Sequence, residues 1–181
     1  RLTILPLSKV YAFEPVPVEL STEQAQHVLG AQGALWSEYI PSRWHVDHAL
    51  FPRLSAVAEM TWSLPAARSW NSFLARMPAQ LQRYRALGID YSDGAFAADI
   101  ALESGPNPVL AGGPAKVVLN TQTGAGTLHY TIDGSEPTPA SPRYQTPLTI
   151  QLPTTVKATA FDTNGIPLAA TRSRTFDRAS L

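Results

Sequence analysis

Trp36 and Glu38 are two side chains whose types and spacing could bind a sugar. A flat indole covers the C–H face of a sugar ring, and a carboxylate accepts hydrogen bonds from sugar hydroxyls. If residues 28 to 36 form a strand that ends at this pair, alternate side chains share a face and the two point the same way. A core tryptophan beside a surface glutamate shows the same spacing, and spacing by itself favours that simpler interpretation.

The histidines and acidic residues do not have the spacing of a metal-ligand set. His45 and His48 are one helical turn apart, but no third ligand follows at a fitting spacing. Asp133, Gly134 and Ser135 are typical of a turn rather than of a calcium loop. We therefore expect no metal site and no cofactor.

Helix-capping and helix-breaking residues predict three helical regions in the first half of the chain. Ser21 and Gln24 form a capping-box pattern before a short helix. Residues 42 to 63 read as helix with a break near Phe51, because Pro52 costs about 3 kcal/mol in a helix interior. Ser69 can cap a third helix that runs to Leu87, and Gly88 suits its C-terminus.

Three further predictions concern the same half of the chain. The proline-rich first 20 residues predict an irregular connecting arm. Leu54, Val57, Ala58 and Trp62 fall on one face of the second helix, which predicts an apolar packing surface. Arg53 and Glu59 could pair with neighbours and are interpreted as structural rather than functional residues, since surface pairs add only about 0 to 1 kcal/mol.

The composition changes after Tyr91, and we place a domain boundary near residues 92 to 98. Beyond it come short alternating runs at 116 to 119, 126 to 132 and 154 to 161. Asn164-Gly165 is the strongest hairpin signal in the chain, and Asp133-Gly134 is a second turn signal. About six short strands in this half would make a small antiparallel sandwich.

The whole-chain composition excludes several classes of protein. The 181 residues carry 14 basic and 14 acidic side chains, with no basic stripe, so no nucleic-acid partner is expected. Zero cysteines exclude disulfides and thiolate metal sites. The sequence predicts no membrane span.

The motifs resemble those of family 20 glycoside hydrolases, the β-N-acetylhexosaminidases and chitobiases. Residues 30 to 38 fit the pattern G-x-Q-x-x-L-W-[ST]-E, and residues 50 to 62 fit L-x-P-R-x-x-A-x-A-E-x-x-W. Both patterns lie at the end of that family's catalytic barrel. Residues 9 to 17 resemble the segment before the last barrel strand, and residues 130 to 137 resemble the C-terminal module of bacterial members.

The resemblance implies an α+β chain. Residues 1 to 92 would be the last strand and closing helices of an incomplete (β/α)8 barrel, and 93 to 181 an immunoglobulin-like β-sandwich accessory domain. It also implies that Trp36 walls the pocket of a terminal N-acetylhexosamine glycan and that Glu38 binds its hydroxyls. The expected partners are that glycan and either the missing barrel portion or a second copy of the chain.

The family's reaction is retaining and substrate-assisted, and an Asp-Glu pair on an earlier strand orients the substrate's acetamido group and protonates the leaving oxygen. This sequence contains no Asp-Glu dipeptide. We therefore expect no catalytic residue in this chain, which by itself should be inactive. The parent enzyme is expected to be exported, either periplasmic or secreted.

Two other interpretations compete with a fragment of an enzyme. The chain could be a non-enzymatic carbohydrate-binding protein, with the sandwich as its sugar-binding module. Residues 115 to 177 contain Tyr130 and Tyr144 but no tryptophan, which is weak support because sugar platforms favour Trp and Tyr. A structural role for the sandwich, bracing the end of the barrel, is the preferred interpretation for that half.

Overall fold

The structure, a computed structural model, describes residues 5–103 and 114–178. The chain divides into two compact units, Arg1–Ser92 and Asp93–Leu181. We call them the helical unit and the sheet unit. Helices occupy the first and antiparallel sheets the second, which confirms the α+β class. Among the described residues, no helix is both long enough and apolar enough to cross a bilayer.

The described part of the helical unit contains α-helices and two short 3-10 turns. The turns are Ser37–Tyr39 and Pro65–Ala67. The α-helices are α1 (Leu7–Tyr11), α2 (Thr22–Ala25), α3 (Arg43–Leu50), α4 (Arg53–Trp62) and α5 (Trp70–Ala86).

The predicted helix boundaries are confirmed at the capping and helix-breaking residues. Ser21 caps α2 in a complete capping box with Gln24. Phe51 ends α3 and Pro52 begins α4, so the helix breaks where proline removes a donor. The Ser69 hydroxyl accepts a hydrogen bond from the amide of Ser72 at the start of α5.

The helical unit buries a different face of α4 from the one that the sequence predicts. Ala56 and Met60 are buried, at 0% and 5% exposure, whereas Leu54 is 40% exposed and Trp62 is 91% exposed. The other core side chains come from α1 and α5: Leu7, Val10, Phe73, Met77, Leu81 and Tyr84. The predicted apolar face of α4 therefore stays open to solvent in this chain.

Two expectations for the first half are wrong. The arm over residues 1 to 20 is not wholly irregular, because residues 7 to 11 form α1 and bury Leu7 and Val10. The strand over residues 28 to 36 is not formed. Within the described residues, the main chain of 29 to 36 makes no hydrogen bond, and a strand exists only through such bonds to a neighbour.

The described part of the sheet unit contains the strands β1 (Ala98–Leu102), β2 (Ala115–Thr121), β3 (Thr127–Thr131), β4 (Leu148–Ile150), β5 (Thr154–Phe161) and β6 (Arg172–Phe176). They form two three-stranded antiparallel sheets, ordered β1-β2-β4 and β3-β5-β6. In the first, Ala98 pairs with Thr121 and Ala115 with Ile150. In the second, Thr127 pairs with Phe161 and Thr154 with Phe176.

The two sheets share one apolar core. Alternate residues of β2 are buried, as expected of a strand with one covered face. Val117 from the first sheet and Val156 and Phe176 from the second are all at 0% exposure in the same cluster. The three runs predicted as strands therefore form β2, β3 and β5.

Both predicted turns are confirmed. Gly134 has φ of 85°, and the Asp133 carboxylate accepts hydrogen bonds from the amide and hydroxyl of Ser135. Gly165 has φ of 76° in the loop after β5, and this loop returns the chain so that Leu168 donates its amide to Ala160.

Candidate functional site

Trp36 and Glu38 lie on an exposed bend rather than at the end of a strand. Trp36 has extended backbone angles, φ −92° and ψ 125°, and is the N-cap of the 3-10 turn that contains Glu38. The Trp36 side chain is 74% exposed and Tyr39 is 69% exposed. Because a 3-10 turn rotates about 120° per residue, the shared-face argument from strand spacing does not describe this geometry.

The bend carries both side chains of the predicted sugar site, but no pocket among the described residues surrounds them. The indole of Trp36 and the carboxylate of Glu38 are both open to solvent, and within the described residues neither makes a hydrogen bond or ion pair to another side chain. An exposed indole next to an exposed carboxylate can supply an apolar wall and hydrogen-bond acceptors for a sugar. The described residues provide the two contacts but no closed pocket around them.

A second aromatic group follows at the start of α3. The ring of Trp44 stacks on His48, with centroids 4.6 Å apart, and meets His45 edge-on at 4.9 Å. The Ser42 hydroxyl and Nδ1 of His45 are 2.9 Å apart. Among the described residues no group of three or more His, Cys, Asp or Glu side chains is placed to hold a metal.

Glu59 makes two side-chain hydrogen bonds in the helical unit, in keeping with its interpretation as a structural residue. Its side chain is 10% exposed and accepts hydrogen bonds from Tyr11 Oη at 2.9 Å and from Arg76 Nη2 at 2.6 Å. Burial, followed by the hydrogen bond to this carboxylate, raises the pKa of Tyr11 above its ordinary value. Glu59 thus links α1, α4 and α5.

Arg53 makes a second link between α4 and the N-terminal arm. Its Nε donates to the carbonyl of Leu5 at 2.8 Å, and its Nη1 donates to the carbonyl of Ala49 at 3.2 Å. Partial burial lowers the pKa of the Arg53 guanidinium. The sequence did contain a signal for these contacts, since Arg53 and Glu59 are the charged members of an otherwise apolar motif.

A cleft of about 300 Å³ lies between α4 and α5. Glu59, Arg76 and Arg83 line it above Phe73 and Met77, which are buried at 3% and 2% exposure. Neither Trp36 nor Glu38 lines this cleft. The candidate sugar contacts and the cleft are therefore separate features of the helical unit.

Both units of the chain match known families. Residues 1–65 match the family described as glycosyl hydrolase family 20, catalytic domain. Residues 110–172 match the chitobiase/beta-hexosaminidase C-terminal domain. The resemblance drawn from the motifs is confirmed by these two matches.

Curated relatives carry consistent names. A beta-hexosaminidase of Porphyromonas gingivalis is 34% identical over 151 residues, which is 79% of this chain and 18% of that protein. A beta-N-acetylhexosaminidase of Cellulomonas fimi is 32% identical over 40% of this chain and 14% of its own length. A chitooligosaccharidolytic beta-N-acetylglucosaminidase of Ostrinia furnacalis is 38% identical over 45% of this chain and 13% of its own length. The chain thus spans less than a fifth of these relatives.

Proposed function

We propose that this chain is the C-terminal part of a β-N-acetylhexosaminidase of glycosyl hydrolase family 20, the family whose catalytic domain residues 1–65 match. The observation that carries the proposal is the order of the two family matches, catalytic domain first and hexosaminidase C-terminal domain second. The proposed reaction removes terminal N-acetylhexosamine from glycans or chitooligosaccharides.

In this proposal Trp36 and Glu38 bind the terminal sugar. The exposed indole of Trp36 packs against the apolar face of the ring, and the Glu38 carboxylate accepts hydrogen bonds from its hydroxyls. Their position on an open bend supports this assignment, because a ligand can reach both side chains without displacing a core residue. Both are binding residues rather than catalytic ones.

The chemistry itself is proposed to come from outside these 181 residues. In a retaining, substrate-assisted reaction the acetamido oxygen of the substrate attacks the anomeric carbon while a carboxylic acid protonates the leaving oxygen. The sequence has no Asp-Glu pair to perform these tasks. The chain would then supply part of the sugar pocket and none of the acid catalysis.

We propose that residues 28 to 36 become a barrel strand only when a neighbouring strand is present. In the described structure the main-chain groups of residues 29 to 36 make no hydrogen bond, and they are the groups that a strand on either side would bind. Trp62 and Leu54 on the open face of α4 would be covered in the same assembly. The missing barrel portion is the proposed occupant, and a second copy of the chain is the alternative.

The sheet unit is proposed to be an immunoglobulin-like sandwich that braces the barrel. Among its described residues, Ile132 is the large apolar side chain with high exposure, and Phe161 and Phe176 are buried. A surface without an exposed aromatic platform offers little to a sugar ring. The alternative of a carbohydrate-binding module therefore gains no support here. Export of the parent to the periplasm or medium remains part of the proposal.

A chimera tests the sugar-binding assignment. The matching C-terminal portion of the Porphyromonas gingivalis beta-hexosaminidase would be replaced by this chain, and hydrolysis of an aryl β-N-acetylglucosaminide would be measured. Glu38→Gln removes charge-assisted hydrogen bonds worth about 1.5 to 3 kcal/mol, so kcat/KM should fall by roughly tenfold to 150-fold.

Glu19→Gln is the matched control, since Glu19 is an exposed carboxylate of the N-terminal arm that binds no other side chain in the described part of the chain. The control should keep the activity of the unsubstituted chimera. Equal kcat/KM values for the Glu38→Gln and Glu19→Gln chimeras would show that Glu38 does not bind the sugar. A folded chimera that binds no N-acetylhexosamine would contradict the proposed function.

A further inference from the structure

The loop after β5 contains an Asn-Gly step held by one aspartate. Asp162 Oδ1 accepts hydrogen bonds from the amides of Asn164 and Ile166, both at 2.8 Å. The main chain of Asp162 adds two more, donating to the carbonyl of Ile166 at 2.9 Å and accepting from the amide of Gly165 at 3.1 Å. Asp162 therefore binds the amides of Asn164, Gly165 and Ile166.

An asparagine followed by glycine is chemically labile. The main-chain nitrogen of the glycine attacks the side-chain Cγ of the asparagine, a C–N bond forms, and the side-chain nitrogen leaves as ammonia with the amide proton. Water then opens the resulting cyclic imide on either side, giving aspartate or isoaspartate. Glycine permits the step because it has no side chain to obstruct the approach and adopts many backbone angles.

We propose that Asn164 is a site of spontaneous deamidation and that Asp162 controls its rate. Asn164 is exposed, so water reaches its side chain. The attacking atom is the nitrogen of Gly165, and the folded loop fixes it by the bond to the carbonyl of Asp162. The loop must open before the nitrogen can turn toward Cγ of Asn164.

Isoaspartate at position 164 would damage the packing beside it. It adds a main-chain carbon to a loop that is already tight, since an added Cβ on Gly165 would lie 3.1 Å from Cγ of Pro139. The loop sets the bridge between Phe161 and Pro167 and the bond from Leu168 to Ala160. Phe161 and Leu168 are buried at 6% and 3% exposure, so the product weakens the core of the sheet unit.

The rate in the folded chain is compared with that of a peptide spanning residues 159 to 169. Both are incubated in mildly alkaline buffer, and peptide mapping by mass spectrometry follows conversion of Asn164. One hydrogen bond is worth a factor of up to about ten, and several must open together, so the chain should react at least about tenfold more slowly than the peptide.

Variants at Asp162 separate control by this side chain from general protection by the fold. Asp162→Ala removes the acceptor and should move the rate toward that of the peptide. Asp162→Asn keeps a side-chain oxygen in place and should stay slow. An unchanged rate in a folded Asp162→Ala chain would overturn the role of Asp162.

Hydrogen exchange on the unsubstituted chain gives a second measurement that needs no variant. Protection of the amides of residues 164 to 166 reports how often the loop opens, and deamidation should be slowed by the same factor. If deamidation of the folded chain is slowed by a smaller factor than the amides are protected, the loop does not control the reaction. A urea-unfolded chain that keeps Asn164 intact as long as the folded chain would overturn the site itself.

Discussion

Gly126→Ala should destabilise the sheet unit much more than Gly124→Ala. Both glycines have left-handed backbone angles, with φ of 79° and 70°. A Cβ at Gly126 would lie 2.7 Å from Cδ1 of Leu168 and 2.8 Å from the carbonyl oxygen of Phe161, whereas a Cβ at Gly124 has no atom within 4 Å. The two substitutions therefore share the backbone strain and differ in the collision.

The magnitudes follow from these contacts. An alanine in the left-handed region costs about 1 to 2 kcal/mol, and this applies at both positions. Forcing an extra methyl into packed surroundings adds about 1 to 3 kcal/mol at Gly126 only. The side chain of Leu168 can move, but the carbonyl of Phe161 belongs to β5 and is held by its pairing with Thr127. We expect a difference of about 1 to 3 kcal/mol between the variants.

Hydrogen exchange of the β5 amides in the full chain measures this difference. These amides lie in the central strand of their sheet, so their slowest exchange reports the opening of the sheet unit. Thermal unfolding gives a second readout, with about 4 to 8 °C expected for each kcal/mol in a unit of this size. Equal free energies for the two variants would show that the gap beside Gly126 is larger than the structure has it.

The remaining predictions concern the helical unit. Glu59→Gln should lower its free energy of unfolding by about 1 to 3 kcal/mol by weakening both hydrogen bonds to the carboxylate, and denaturant unfolding with Glu19→Gln as control measures this. The pKa of Tyr11 is raised in the folded state, so the stability it contributes is present below about pH 10 and is lost as the pH rises through its folded pKa. A Tyr11→Phe variant should lose that alkaline fall; an identical fall in both chains would contradict the assignment. The chain by itself should not hydrolyse an aryl β-N-acetylglucosaminide, and turnover above buffer in a sample free of hexosaminidase would refute the proposed division of labour.

Helix ends were predictable because single residues with local effects determine them. Pro52 cannot donate a helical hydrogen bond, and Ser69 and Ser21 satisfy amides at helix starts. Turns at Gly134 and Gly165 were predictable for the same reason, since a positive φ there favours glycine.

The elements missed or misplaced depend on distant contacts. Helix α1 has five residues, too few for a periodic pattern, and is held by burial of Leu7 and Val10. Strand β1 lies in an alanine-rich stretch and owes its conformation to pairing with β2. Residues 28 to 36 have the composition of a buried strand but no neighbour among the described residues.

The local geometry of the candidate site was not predictable, and the sugar-binding role of its residues stays a prediction. Trp36 and Glu38 were identified by their chemistry and motif, whereas their placement on a 3-10 turn was not. The partners of Glu59 and Arg53 were not predictable, because their position in an apolar motif marks them as structural without showing which groups they bind. The burial of a charged side chain and the groups that it binds depend on how the helices pack together.

The exposure of the tryptophans has an optical consequence. All four tryptophans lie in the helical unit, and Trp62 and Trp36 are 91% and 74% exposed. These two indoles emit at long wavelength whether the chain is folded or not, so their emission would change little when the helical unit unfolds. A surface that covers the open side of α4 would instead shift the emission to the blue. Tryptophan emission would therefore report the docking of a surface on α4. The sheet unit contains no tryptophan and would not contribute to this signal.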